Sequence, residues 1–427
     1  MNITKDNTEN RVIFLDNLRY FSVLCVVLLH SGLAYFPVMT WWVVVDANTN
    51  IIAGWLVVFF DGFTMPLLFY ISGYFAILTI QKQEITSFLK GKLKRLGVPW
   101  LICILFIIPA SRLIYHYSQN NLSLSVSYWD LWMILMKDAS GFNVGLINID
   151  KAMKNNQFSQ NYMWFLSVLI LFFFAFSIIY KVKKRWFVSN GHPAPSAKMP
   201  ILSTLKFLVT VGLLTFFCSL ISIAIVVISS KKQFDPEEWF TLGNVIQFQP
   251  YRLPLYIIYF AMGIITYKNK WIERGKFSGD CNTWLISLPI LVVGHLYVFT
   301  IMINAPIQLR TMYGLASLFI FNFLSISALG FFTSFALRYW NRPTRINQSL
   351  ASNSYNIYLS HFIFVVGFQL LLFTYSGIPG SLKFGIVSAL SIACAYIVSQ
   401  FLIKPYARIS IGAVIMLFII MVVIIRP

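Results

Sequence analysis

The sequence predicts an all-α membrane protein, one polytopic bundle of ten or eleven transmembrane helices occupying residues 1–427 as a single domain. Three observations carry this. Hydrophobic residues make up 58% of the chain and charged residues 11%, where a soluble domain carries about 25% charged residues. The mean hydropathy is +0.73. Apolar runs approaching or passing the roughly 18–20 residues needed to cross hydrocarbon recur from end to end.

In chain order the predicted spans are 14–37, 51–80, 96–115, 162–180, 206–229, 251–267, 283–303, 312–336, 353–374 and 383–403. An apolar segment at 409–425 either forms an eleventh helix or lies against the bundle, outside a core of about 11–405. The second span is long and holds Gly62 and Pro66, so a kink is expected there, since proline removes a backbone hydrogen bond. No internal repeat and no linker divides the chain. The first run carries Arg19 and His30 and lacks a small-residue cleavage site, which argues against a cleaved signal peptide.

Charge sets an expected orientation. With the N-terminus in the cytosol, 22 of the 33 Lys and Arg residues fall on cytosolic segments, and 38–50 holds none. This matches the positive-inside bias and accounts for the net charge of +19 without invoking nucleic acid as a partner. The five cysteines, Cys25, Cys103, Cys218, Cys281 and Cys394, show neither a disulfide framework nor metal-ligand spacing, so no metal is expected. The longest outer loop, 116–161, holds Tyr128, Trp129 and Trp132, which read either as interfacial anchors or as part of a lid over an outward-facing site.

Ionisable groups inside spans are costly in lipid and face a bundle interior or a wet cavity. Arg19 and His30 are eleven residues apart, about three helical turns, so they share a face at heights roughly 16 Å apart. Asp16, three residues before Arg19, can pair with it. Arg19 reads as a functional cation or as a snorkelling side chain, and His30 as a reactive imidazole or an interhelical hydrogen bond. By depth, Asp61 is expected to meet His30 and fix its tautomer, or else to cap the helix beyond the kink. Ser354, Tyr358 and His361 share a face at i, i+4, i+7. The depth estimate gathers Arg19, Ser72 and His361 at one inner level, with a structural role for His361 equally open. The basic run Lys90, Lys92, Lys94, Arg95 reads as topological charge or as a phosphate-holding cluster at a cavity mouth.

These residues carry a resemblance. The segment RVIFLDNLRYFSVLCVVLLH (11–30) resembles the opening of the membrane acyltransferase family 3, with Arg and His separated by ten residues on the first helix. DGFTMPLLFYISGYFA (61–76), FLKGKLKRLGVPWL (88–101), MWFLSVLILF (163–172) and SYNIYLSH (354–361) resemble later family elements in the same order. The D-x-F-x-M-P-L pattern at 61–67 is similar to the branch of periplasmic glucan succinyltransferases and O-acetyltransferases.

The resemblance implies an acyl-CoA donor (acetyl-CoA or succinyl-CoA) from the cytosol, an acceptor hydroxyl on a glycan or other envelope molecule, and a multi-pass location in the inner membrane. It assigns donor binding to Arg19, Ser72, Lys94, Arg95 and His361. His30 then acts as general base or carries the acyl group, Asp61 stabilises its imidazolium, and Ser72 or a backbone N–H near Gly73 serves the oxyanion. Two rivals stand beside this reading. A transporter or flippase for a lipid-linked glycan explains intramembrane charge equally well, and a membrane-embedded sensor needs no chemistry at all.

Overall fold

The computed structural model describes residues 12–120, 126–187, 201–272, 281–406 and 412. Apart from Gly412, the candidate eleventh helix at 409–425 lies outside the described residues, as does the Pro-bearing connection at 189–200. The protein is mostly helical, 77%. Among the described residues nine helices are long and apolar enough to cross a membrane, and a shorter apolar helix, Leu253–Lys268, lies within the bundle as well.

The helices are α1 (Ile13–Leu33), α2 (Ile51–Asp61), α3 (Thr64–Ile80), α4 (Ile85–Gln119), α5 (Tyr128–Ser140), α6 (Ile149–Lys154), α7 (Trp164–Val182), α8 (Ile201–Ser230), α9 (Leu253–Lys268), α10 (Cys281–Asn304), α11 (Ile307–Tyr339), α12 (Arg345–Phe373) and α13 (Gly380–Ile403). The expected kink in the second span is a break at Gly62 and Phe63 that divides α2 from α3. A side chain at Gly62 would run into Leu324, so glycine lets the broken helix sit against α11. In α4, π-type turns at Leu93–Gly97 and Cys103–Ile107 flank Pro99, where the regular bonding pattern is interrupted.

Two contacts organise the core. First, α3 and α9 cross with almost no side chain between them. A Cβ on Gly73 would stand 2.0 Å from the Phe260 carbonyl oxygen, and one on Gly263 would stand 2.0 Å from that of Tyr70. Such small-residue crossings let backbones pack where lipid supplies no hydrophobic drive. Second, α1 lies parallel to α12: Tyr20 donates to Asn347 (2.8 Å), Arg19 reaches Ser354 (3.3 Å), and His30 meets His361 (2.9 Å). The connection from α1 to α2 is strapped to α13 by a buried ion pair, Lys383 Nζ to Asp46 Oδ2 at 2.7 Å.

The all-helical expectation needs one correction. The two loops at the His30 end of the bundle fold together into a small antiparallel sheet, β1 (Val144–Asn148), β2 (Glu238–Leu242) and β3 (Ile246–Phe248), in that order. Val144 pairs with Leu242, and Phe240 pairs with Phe248. Buried Arg112 of α4 holds this cap down, donating to the carbonyls of Ala152, Met153 and Gln157 around the C-terminus of α6. Trp132 of α5 bonds the Leu105 carbonyl, so α5 packs along α4.

Candidate active site

A cavity of about 1550 Å³ lies under the cap. His30 and Trp42 line one part of its wall, Asp61, Arg252 and His295 another, and Trp164, Trp239, Asp235 and Glu237 belong to its capped end.

His30 sits in the last turn of α1 and is fixed from three directions. Its Nδ1 is 2.9 Å from His361 Nε2, with the two rings edge to edge and nearly coplanar, their centres 5.1 Å apart and their planes 8° apart. His361 is fully buried, and its Nδ1 lies 2.7 Å from the Tyr358 carbonyl oxygen. A carbonyl only accepts, so His361 Nδ1 carries the hydrogen. A neutral His361 then offers a lone pair at Nε2 and must accept from His30 Nδ1–H. The unprotonated nitrogen of His30 is therefore Nε2. The helix backbone thus sets the tautomer of the second ring, which sets that of the first. Trp42 stacks on the other face of the environment, 5.5 Å and 14° from the His30 ring. Buried Gln369 ties these parts together: its Nε2 donates to the carbonyls of His30 and Ser31, and its Oε1 accepts from Trp42 Nε1.

Asp61 does not reach His30 in this structure, and it does not cap α3, whose N-cap is Phe63. Its two oxygens accept from Arg252 Nη1 and Nη2, each at 2.7 Å. The expected imidazole–carboxylate pair is replaced by an imidazole–imidazole pair and a separate carboxylate–guanidinium pair. The physical reason is competition: a forked, charge-assisted bond from arginine suits a carboxylate better than one imidazole N–H does.

His361 also lies at a different height from the expected one. The helix carrying it begins at Arg345 and not at 353, so His361 stands at the level of His30 while Ser354 occupies the level of Arg19. Arg19 does face α12, as its spacing from His30 requires, bonding Ser354 Oγ, the Ala351 carbonyl and Asp16. It is outside the cavity lining. Arg95 comes close to this level: its guanidinium lies 5.6 Å from the Tyr355 ring centre, and the Tyr355 hydroxyl donates to the Arg95 carbonyl. Lys94 is exposed, and Ser72 is half-buried midway along α3 and outside the cavity lining. Gly73 offers no oxyanion donor, because it lies inside α3 and is sealed against Phe260.

Sequence reasoning did not single out Arg252, Gln369 or His295. Arg252 stands at the start of a predicted span, where positive charge looks topological. Gln369 lies in an apolar run and carries no charge to draw notice. His295 is buried beside Ser317 (3.4 Å), and an intramembrane imidazole there was a signal as strong as that of His361.

A multi-pass helical bundle that holds a tautomer-fixed histidine on the wall of a capped cavity has the framework of a membrane enzyme. The chain belongs to the acyltransferase-3 family, since residues 12–400 match the family model described as an acyltransferase domain. No curated protein and no solved structure matches it.

Proposed function

We propose that the protein transfers an acyl group from cytosolic acyl-CoA to a hydroxyl of a glycan or other envelope acceptor, with His30 as general base. The observation that carries this is the His30–His361–Tyr358 chain, which leaves His30 Nε2 unprotonated on a cavity wall. In the reaction the acceptor hydroxyl gives its proton to Nε2 and its oxygen attacks the thioester carbonyl carbon. The C–S bond breaks, the ester forms, and the imidazolium returns its proton to the departing thiolate. His361 is a positioning residue that holds His30 in the required tautomer.

Arg19, Arg95 and the exposed Lys94 supply cations at the opposite end of α1 from His30, which suits the phosphates of coenzyme A. Acyl-CoA then enters from the Asp16 end and the acceptor from the capped end, in an inner membrane with the N-terminus in the cytosol. Ten crossings fit this arrangement. The parallel run of α1 and α12 requires an even number of crossings before α12, and the described helices give eight when α9 is counted with the seven longer spans that precede α12. The positive-inside bias gives the direction. The resemblance of residues 61–67 to the glucan succinyltransferase branch makes succinyl-CoA a donor to test beside acetyl-CoA.

The test is thioester consumption by the purified full chain in lipid nanodiscs, with labelled acetyl-CoA and succinyl-CoA. Wild type is expected to cleave one of them, and His30→Gln to lower the rate about 10²–10⁴-fold at unchanged yield of folded protein. Intact donor in the presence of wild type would favour the transporter reading, and undiminished turnover in the variant would remove His30 from the chemistry.

A further inference from the structure

The cavity holds a second polar centre that the acyl-transfer step does not use. Asp61 and Arg252 line it with side chains 33% and 18% exposed, so both are sunk in the wall yet open to whatever fills the space. Tyr251, His295 and Ser317 line the same region. The guanidinium is held on every side: Nη1 and Nη2 bond the two Asp61 oxygens, Nε donates to the Tyr251 hydroxyl (3.0 Å), and the Phe321 ring lies 5.0 Å from Cζ.

Resting on the acyltransfer reading above, we infer that the closed Asp61–Arg252 pair is the acceptor-reading element of the cavity, and that it selects an uncharged sugar. The argument is a count of valences. Each Asp61 oxygen has about two acceptor positions and spends one on Arg252. The guanidinium has five N–H bonds, spends three on Asp61 and Tyr251 and turns a fourth towards Tyr256. Carboxylate lone pairs and one N–H therefore remain side by side on one rigid surface. A hydroxyl, which both donates and accepts, satisfies such a surface without disturbing it, and neighbouring hydroxyls on a sugar ring satisfy it twice.

Charged acceptors do not fit in the same way. An anion must draw Arg252 away from Asp61, and a cation must draw Asp61 away from Arg252. Either leaves a partly buried charge without its partner, which is strongly unfavourable. The lining adds to the selection against anions, because beyond the pair it holds two carboxylates, Asp235 and Glu237, against one further cation, Arg310. Asp235 is fixed there by Asn148 Nδ2 (2.7 Å) and by the Glu237 backbone N–H (2.9 Å). Trp41, Trp164 and Trp239 supply the flat apolar faces on which sugar rings pack.

The test uses the full chain in lipid nanodiscs and reads binding, not turnover. Tryptophan fluorescence is titrated with neutral hexose trisaccharides (maltotriose, a galactotriose and chitotriose) and with a carboxylated counterpart of each. Wild type is expected to bind at least one neutral probe, with its carboxylated counterpart about tenfold weaker or worse. The variant Asp61→Leu/Arg252→Leu removes the pair without leaving a lone charge, and is expected to weaken neutral binding about tenfold. The exchange variant Asp61→Arg/Arg252→Asp keeps an ion pair, and unfolding temperatures of both variants within a few degrees of wild type guard against a folding defect. It is expected to bind weakly too, because the guanidinium loses Tyr251 and Phe321.

The inference is overturned if no neutral probe binds, if the carboxylated probe binds as tightly as the neutral one, or if neutral binding survives in the Leu/Leu variant. Thioester turnover measured on the same preparations separates the two readings. Sugar binding that depends on the pair in a protein that never consumes acyl-CoA would retain the sugar site and discard the transfer chemistry.

Discussion

At the scale of single residues, the site depends on how little freedom His30 has. Gln369 is the inconspicuous part of this. It spends both amide hydrogens on the carbonyls of His30 and Ser31 and its oxygen on Trp42, whose ring stacks on His30. Replacing it by Leu keeps the volume and removes all three bonds. The expected result is a fall in kcat of about tenfold or more with little change in the donor KM, since a misplaced base harms the transfer step and not donor binding. Gln369→Glu keeps the acceptor for Trp42 but loses the donors to two carbonyls, so it should not rescue. A parallel loss in kcat and donor KM would make Gln369 a general packing residue. The spacing of Arg19 and His30 was legible in sequence because both lie on one uninterrupted helix. Their partners were not. Asp61 finds Arg252 from another part of the chain, and no local pattern encodes a contact with |i−j| of 191.

At the scale of elements, the helices were legible and their ends were not. The first two turns of α12 read as loop because they carry Arg345, Asn347, Gln348, Ser349 and Ser352. Several of these polar groups are spent inside the bundle, Asn347 on Tyr20 and Ser349 on Tyr396, as is the next one, Asn353, on Gln400 and Ser399. Hydropathy cannot distinguish a polar residue facing water from one facing a neighbouring helix, and this shifted His361 by two turns. The cap was illegible for a different reason, since its strands are short and come from distant loops.

Arg112 anchors the cap, so Arg112→Leu is expected to free residues 144–158. Hydrogen–deuterium exchange there should quicken while α1 and α12 stay protected. Uniform exchange across the bundle would instead mean a global role. Glu237 gives the cap a pH signature. Burial, and after it the charges of Asp235 and Asp150, raise its pKa above the usual glutamate range, against an opposing hydrogen bond from Trp41. The folded state therefore holds this proton more tightly than the unfolded chain. Its contribution to stability is present at acidic pH and is lost as pH climbs from the ordinary glutamate range through the raised value. Thermal unfolding of Glu237→Gln should decline less steeply than wild type over that interval, and identical slopes would refute the assignment.

At the scale of the whole molecule, one ion pair ties the two ends of the described chain together. Lys383 is 0% and Asp46 3% exposed. Nearby, Asn48 donates to the carbonyls of Ser376 and Ile378, and Gly380 allows the Asn48 carbonyl to come close. Lys383→Met alone would leave a buried carboxylate and is expected to cost about 3–5 kcal/mol, read as a lower Tm in nanodiscs. Adding Asp46→Leu should recover most of the loss, because two apolar residues fill the space without stranding a charge. If the double variant is no better than the single, the pair contributes more than charge balance.

The separation of 331 positions from His30 to His361 bears on how the protein comes into being. A nascent chain that has inserted only the helices before α12 already displays His30, yet nothing fixes which ring nitrogen is bare. Competence thus arrives late in biogenesis and in a single step, when α12 docks alongside α1. Premature stops anywhere before that helix should yield chains with no residual chemistry, however well their earlier spans have settled in the bilayer.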